Sequence, residues 1–486
     1  MLPFSPFATL CTLADCQPET AALTVGETTI TYGELPEIVS GFTDWLFQNG
    51  LAAGDMTGIA IRDEIGHLIC SISLLGLGTA SINLPSHENA AVKRALARKI
   101  GASQIIAEQR EPWMKGLRTI APLPNFATLP RASRTHRHFP ALPLDWIGIY
   151  PSTSGSTQIP RTFGFTLQRL RALISRYASD PEERCVLRTG SIEFDSHRID
   201  RMGSLLAGHS CVFMPDKDIG NLAGVCAGAK VTTVRMGPYK LASLVQDADG
   251  KGMLPDFTRI VTGGARVPGA LRTKIRRLLS KNLWVVYATS EAGVISIASP
   301  DQHESMPEGV GMPLPSVRVE IVGANDEPVA AGAVGQIRVR KEGIGEYIGE
   351  RGNRGNFREG WFYPGDLMSR PDDRGPLIFH GRADDVIILN GINVFPSAIE
   401  DVLTRHPLIS DALAYAVSSR IHGQIPVAAV TLKEGAQRPS VAELLDLCRK
   451  ALGIRAPRQI FIVEGIPRNA AGKPIKRANM KSMLQL

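Results

Sequence analysis

Short apolar runs alternate along the chain with longer segments in which apolar residues recur every three or four positions. Ala22 to Val25 and Thr28 to Thr31 flank Gly26-Glu27, the pattern of a β-hairpin. Thr31 and Glu34 have capping-box spacing, and Leu35, Ile38, Val39, Phe42 and Leu46 then follow at helical spacing. Next come a strand over Met56 to Ile61, a buried helix near Ile65 to Gly76 and a strand near Ser81 to Leu84. A helix near Ala90 to Ile100 and a strand over Gln104 to Ala107 continue the alternation. Strands separated by helices predict an α/β domain with a largely parallel sheet. Pro122 to Leu144 is Pro-rich and basic and reads as a surface connection; His136 and His138 lack nearby partners for a metal site.

A second α/β stretch runs from Trp146 to Ile297. Gly311 to Arg340 differs: two β-like runs, Val317 to Val322 and Gly335 to Val339, predict a small β subdomain. After Gly381, helices are expected over Ala398 to Thr404 and Val441 to Leu452. Strands are expected over Ala412 to Ser418, Ile425 to Leu432 and Gln459 to Val463, enough for a small α+β domain.

Composition narrows the class. Apolar residues make up 44% and charged residues 21% of 486, which excludes wholesale disorder, collagen and a disulfide-stapled miniprotein. The longest apolar stretch, Leu68 to Ala80, is interrupted by Cys, Ser and Gly and falls short of the ~20 residues a membrane span needs. Seven cysteines without a CxxC pair fit a reducing, cytoplasmic location, and no secretory leader is read. The net charge of +7 is localised: from Arg449 onward nine basic residues face one acid, so the rest of the chain sums to −1. A basic tail alone reads equally as a solvated surface or an anion binder. No nucleic-acid reader motif or interleaved aromatic platform accompanies it, so no nucleic-acid partner is expected.

The strongest local signal is Thr153-Ser154-Gly155-Ser156-Thr157-Gln158-Ile159-Pro160-Arg161, following the apolar run Trp146 to Tyr150. Backbone N–H groups, hydroxyls and a terminal cation can wrap a phosphate, although the loop lacks the Walker A pattern. Downstream stand Gly263-Gly264-Ala265, Tyr287-Ala288-Thr289-Ser290-Glu291, Gly360-Trp361-Phe362-Tyr363-Pro364-Gly365-Asp366-Leu367, Gly381-Arg382-Ala383-Asp384-Asp385 and Pro467-Arg468-Asn469-Ala470-Ala471-Gly472-Lys473. In this order and spacing the set resembles the AMP-forming adenylate synthetases: acyl- and aryl-CoA ligases, luciferases and peptide-synthetase adenylation domains. The resemblance runs from the Tyr32 region to Lys473.

The resemblance implies an α/β fold: a large N-terminal domain (1–381) of two layered α/β subdomains plus a small β subdomain, a hinge (382–384) at Asp384, and a mobile α+β C-terminal domain (385–486) carrying Lys473. It implies that Thr153, Ser154, Gly155, Ser156, Thr157 and Arg161 hold the ATP β/γ-phosphates. Gly264 and Ala265 would line the adenine slot and Tyr287 would stack on the base. Ser290 would touch the α-phosphate, Glu291 would help hold Mg²⁺, and Asp366 would accept from the ribose hydroxyls with Arg382 assisting. Lys473 would stabilise charge as pyrophosphate leaves, and Gly391 would line the channel for a pantetheine thiol. Taken singly, Asp366 reads equally as a turn carboxylate and Lys473 as one more tail cation. The phosphate loop departs from the family at Gln158, Arg161 and Thr162, where Gly, Lys and Gly are usual; Arg keeps the charge but is a planar fork.

For the acid, Glu193-Phe194-Asp195-Ser196 resembles the FDxS region of amino-acid-activating domains, implying that Asp195 pairs with a substrate ammonium. A helix cap is the plainer role for that aspartate. By the same comparison Ser196, Ile199, Val261, Gly263, Val286, Val294 and Ile295 would line the pocket. Arg235 would face a second carboxylate, or instead form a structural salt bridge. The main expectation is therefore adenylation of a small amino acid, then transfer to the phosphopantetheine of a separate carrier protein or to CoA. The alternative is an acyl- or aryl-CoA ligase for a non-amino acid, which Asn390-Gly391-Ile392-Asn393-Val394-Phe395-Pro396 resembles more closely. A non-catalytic nucleotide- or acyl-binding relative is a third reading.

Overall fold

The structure, a computed structural model, describes residues 3–126, 131–132, 139–153, 160–247, 254–348, 353–372, 374–419 and 423–468. A nine-stranded sheet and a six-stranded sheet form the body of the large domain. In the larger sheet, Ala21–Val25, Ser210–Phe213, Cys185–Arg188, Thr233–Arg235, Arg259–Gly263 and Leu283–Thr289 run parallel in that order. Antiparallel strands flank them on both sides, Thr28–Thr31 at one edge and Gly293–Ala298 followed by Met312–Pro313 at the other. In the smaller sheet, Ile147–Ile149, Ala80–Asn83, Met56–Ala60, Gln104–Ala107 and Arg118–Ile120 are parallel neighbours.

The helix Glu64–Leu77 shows how the two sheets join. Asp63 caps it by accepting from Gly66 N at 2.6 Å, and Gly78 ends it at φ +77, a left-handed conformation that favours glycine. Twelve of its residues are buried, so it is enclosed on every face. Its leucines share one core with Leu23 and Phe213 of the larger sheet and Ile59 and Ile149 of the smaller. Helices therefore lie between two sheets, as the strand–helix alternation predicts. The Thr31–Glu34 box also forms: Thr31 N donates to Glu34 Oε2 at 3.0 Å and Glu34 N to Thr31 Oγ1 at 3.3 Å.

The β subdomain is larger than expected. Arg318–Val322 and Gly335–Arg340 pair as predicted, but Phe357–Arg358, Trp361–Phe362, Asp366–Ser369 and Ile378–Arg382 join them. The later strands are two to five residues long, too short to show a period. A helix over Pro6–Cys16, capped by Ser5, was not anticipated. Phe139, within the expected surface connection, stacks on Phe7 of that helix with ring centroids 3.7 Å apart, so part of the connection is core. His136 and His138 lie outside the described residues.

The small domain has a five-stranded sheet of Ile387–Leu389, Ile392–Val394, Ile409–Ser419, Gly423–Leu432 and Gln459–Ile462. Helices Pro396–Thr404 and Val441–Leu452 share its core. None of the seven cysteines forms a disulfide. Among the described residues, no helix is long and apolar enough to cross a membrane.

Candidate active site

The parallel strands of the larger sheet end together, and the resemblance-derived residues cluster at those carboxyl ends, where α/β sheets commonly bind ligands. Arg259–Gly263 runs into Gly264 (φ +80) and the exposed Ala265. A Cβ on Gly263 would stand 2.4 Å from Val286 O of the neighbouring strand, so this position requires glycine. Leu283–Thr289 brings Tyr287 to the same end, with Ser290 exposed and Glu291 buried in the turn that follows.

Two carboxylates anchor this end. Asp366 is buried and lies opposite Arg382 on adjacent antiparallel strands. Its Oδ2 accepts from the Tyr287 hydroxyl at 2.6 Å and its Oδ1 from the Arg382 guanidinium at 3.2 Å. Burial, and then the Asp366 charge, pushes the Tyr287 phenol far above its ordinary range, so it remains a donor. Tyr287 is therefore positioned through its hydroxyl, with its ring largely buried near Phe379. The Arg382 side chain is 46% exposed, so the cluster is open on that side.

The Glu291 carboxylate accepts from the Tyr347 hydroxyl. Its own carbonyl accepts from Arg169 at 2.7 Å and from Gly345 N at 3.1 Å. Arg169 also donates to Ser290 O, and its guanidinium lies over Phe163 and Phe165. The segment expected to wrap phosphate is flanked at this corner by a strand pair: Ser152–Thr153 pairs with Arg161–Thr162, and Arg161 lies 5.2 Å from the Tyr347 ring centroid. Ser154, Gly155, Ser156, Thr157 and Lys473 lie outside the described residues.

On the acid side several expectations require correction. Asp195 opens the helix Asp195–Leu206 but presents no free carboxylate. Its Oδ1 accepts from Arg198 at 2.8 Å and its Oδ2 from Ser152 N at 2.9 Å. Neither a helix cap nor a substrate ammonium is what satisfies it. Burial raises its pKa, opposed by Arg198 and Ser152. Arg235 pairs with Glu183 at 2.7 Å and lies over Tyr177, the structural salt bridge rather than a substrate contact. Burial pushes the Glu183 carboxyl up, but Arg235, His209, Arg188 and Arg259 outweigh it and hold the group well below the carboxylate range.

Among the proposed walls, Val261, Gly263 and Val286 are half-buried on one face of adjacent strands, and Val294 is half-buried opposite Ala288. Ile295 is fully buried in the core shared with the β subdomain. Ser196 is exposed, and Ile199 packs against the core between the sheets.

With this geometry in place, the comparisons with known proteins are decisive. A family model described as AMP-binding enzyme matches residues 12–346, and its C-terminal-domain model matches residues 398–473. The chain belongs to the AMP-binding enzyme family. It is accordingly an ATP-dependent, AMP-forming ligase. It is 26% identical over 479 residues to 2-succinylbenzoate–CoA ligase of Geobacillus kaustophilus, covering 95% of this chain and 94% of that one. It also aligns, at 24% identity, with only 18% of the length of a chalcone synthase of Aspergillus candidus. Among solved structures, o-succinylbenzoate CoA synthetase of Bacillus subtilis with its acyl-adenylate superposes at a TM-score of 0.87 (21% identity, 99% of both chains). Anthranilate CoA ligase AuaEII with anthranoyl-AMP superposes at 0.86 (19% identity, 98% of this chain and 96% of that one).

Within this family member, the small domain docks on the large one near the site. Arg266, next to Ala265, donates to both Asp401 carboxylate oxygens at 2.5 and 2.6 Å and to Glu308 at 2.8 Å. Ser397 donates to His380 O at 2.7 Å, and Arg468 lies 4.6 Å from the Tyr239 ring centroid while pairing with Asp411. Asp384 is 88% exposed in the turn after Arg382. Gly391 (φ +80) follows Asn390 (φ +49), the Asn-Gly turn of a two-residue hairpin. Sequence reasoning missed Tyr347, Arg169 and Arg266. A signal for Arg169 was present in Gly343 and Gly345: a Cβ on Gly345 would lie 2.4 Å from Phe163 and 2.7 Å from Arg169.

Proposed function

We propose that this ligase activates a non-amino carboxylic acid, of the acyl or aryl class, and passes it to CoA. The acid's carboxylate oxygen attacks the ATP α-phosphorus and pyrophosphate leaves. The CoA thiol then attacks the acyl carbon, AMP leaves, and a thioester remains. Asp366 and Arg382 would hold the ribose and Glu291 would hold Mg²⁺, a hard cation suited to a carboxylate oxygen beside a phosphate loop. Bound Mg²⁺ would offset charge on the departing pyrophosphate. Lys473, brought by a small domain of residues 385–486 turning about 382–384, would stabilise the same charge.

The observation that carries the choice of acid is Asp195. Its oxygens are engaged by Arg198 and Ser152, so the group that would bind an α-ammonium is already occupied. The acids in the names of the similar proteins, 2-succinylbenzoate and anthranilate, are both aryl acids without an α-ammonium, although anthranilate carries a ring amine, and so favour the aryl class. The amino-acid and carrier-protein expectations find no such support. The test is mass-spectrometric detection of CoA thioesters and AMP from ATP, CoA and a panel of benzoates, fatty acids and amino acids. Thioesters from the first two classes are expected; amino-acid adenylates without any CoA thioester would refute the reading.

A further inference from the structure

We propose that Tyr347 is a positioning residue for Glu291, fixing that carboxylate for Mg·ATP through its hydroxyl. The inference rests on the reading of Glu291 as the metal-holding residue. Glu291 is held from two directions. Its backbone is pinned by Arg169 and Gly345, which fixes where the side chain starts. Its carboxylate is 8% exposed at the residue level and receives the Tyr347 hydroxyl on Oε1, which fixes where the side chain ends. A carboxylate anchored at one oxygen presents the other in a defined direction, as outer-shell partners of metal ligands do.

Tyr347 is itself tied to the phosphate loop. It forms an antiparallel bridge with Phe163, and Ile348 N donates to Thr162 O at 2.8 Å. Arg161, which closes the loop, lies over one part of the ring, and Phe357 meets it edge-on at 5.9 Å. The phenol therefore sits between the loop's cation and the carboxylate 56 residues earlier in sequence. The side chain thus couples phosphate loop and carboxylate without touching a reacting atom.

The test is calorimetric ATP binding to the full chain across Mg²⁺ concentrations, with Tyr347→Phe compared with wild type. Phe keeps the ring beside Arg161 and removes the hydroxyl, with its contacts to Glu291 and to the Arg161 side chain. Half-saturating Mg²⁺ should rise about 10–100-fold, with Mg²⁺-free ATP affinity falling far less, by no more than about 3-fold from the lost Arg161 contact. In a Glu291→Gln background the same substitution should add less than about 2-fold, because its effect runs through that carboxylate. Unchanged Mg²⁺ dependence in Tyr347→Phe would overturn the proposal, as would equal weakening of ATP binding with and without Mg²⁺, or full additivity with Glu291→Gln. A wild-type protein whose ATP binding ignores Mg²⁺ would overturn the Glu291 reading as well, which separates the two failures.

Discussion

Asp195 and Asp366 are both buried aspartates beside an arginine, yet they belong to different kinds of region. Asp195 faces Arg198, whose side chain is 0% exposed, and both carboxylate oxygens are engaged within the fold. Asp366 faces Arg382, 46% exposed, and is oriented by Tyr287 from behind. Arg198 cannot leave without exposing an unpaired buried charge. Arg382 can exchange its contact with water or ligand at little cost. The same residue pair is thus structural where its partner is enclosed and available to a ligand where its partner is open. Glu183 with Arg235 and Arg259 belongs to the first kind.

Substitutions that remove one partner separate the two kinds. Asp195→Ala strands Arg198 and should cost about 3–5 kcal/mol of stability, read from denaturant unfolding. A loss below about 1 kcal/mol would break the distinction. Asp195→Asn, which retains a hydrogen-bonding side chain, should cost less. Lys473→Ala should slow adenylation ~10²–10³-fold with no comparable loss of stability, followed by single-turnover AMP formation. Asp366→Asn keeps an acceptor for Tyr287 but removes the charge; ATP should bind about 10–100-fold more weakly, consistent with losing one or two charge-assisted bonds, with melting little changed.

The smallest effect concerns acid. Burial pushes Asp200 up, but Arg188, Arg235 and the Tyr177 hydroxyl bring it down to about 2. A carboxylate depressed in the folded state stabilises the fold above its unfolded pKa and loses that contribution as pH falls through the folded value. Melting temperature should therefore fall between about pH 4 and pH 2, and Asp200→Asn should flatten that limb. Asp195, raised rather than lowered, has the opposite sign: protonation favours the folded state as pH falls.

Much of this was legible in the chain. Strand–helix alternation marked both parallel sheets, and glycine-bearing motifs marked turns whose backbone geometry demands particular residues, at Gly263, Gly264 and the Asn390-Gly391 turn. The direction in which a charged side chain points was not legible, since it depends on partners distant in sequence. Arg235 finds Glu183 52 residues earlier, and Tyr347 finds Glu291 56 residues earlier. Arg198 is the instructive exception. It stands three residues after Asp195 on the same helix face, the spacing of an intrahelical ion pair, and that spacing was available in the sequence. The family's FDxS pattern drew the aspartate toward a substrate, while its partner lay one turn away.

The most direct test is acid-dependent ATP–pyrophosphate exchange in Asp195→Asn, set beside wild type across aryl, fatty and amino acids. If Asp195 is structural and the acid carries no ammonium, the ranking of acids is unchanged and any loss is uniform across classes. Amino acids ranking first in wild type, and selectively lost in Asp195→Asn while aryl and fatty acids are unaffected, would contradict the account.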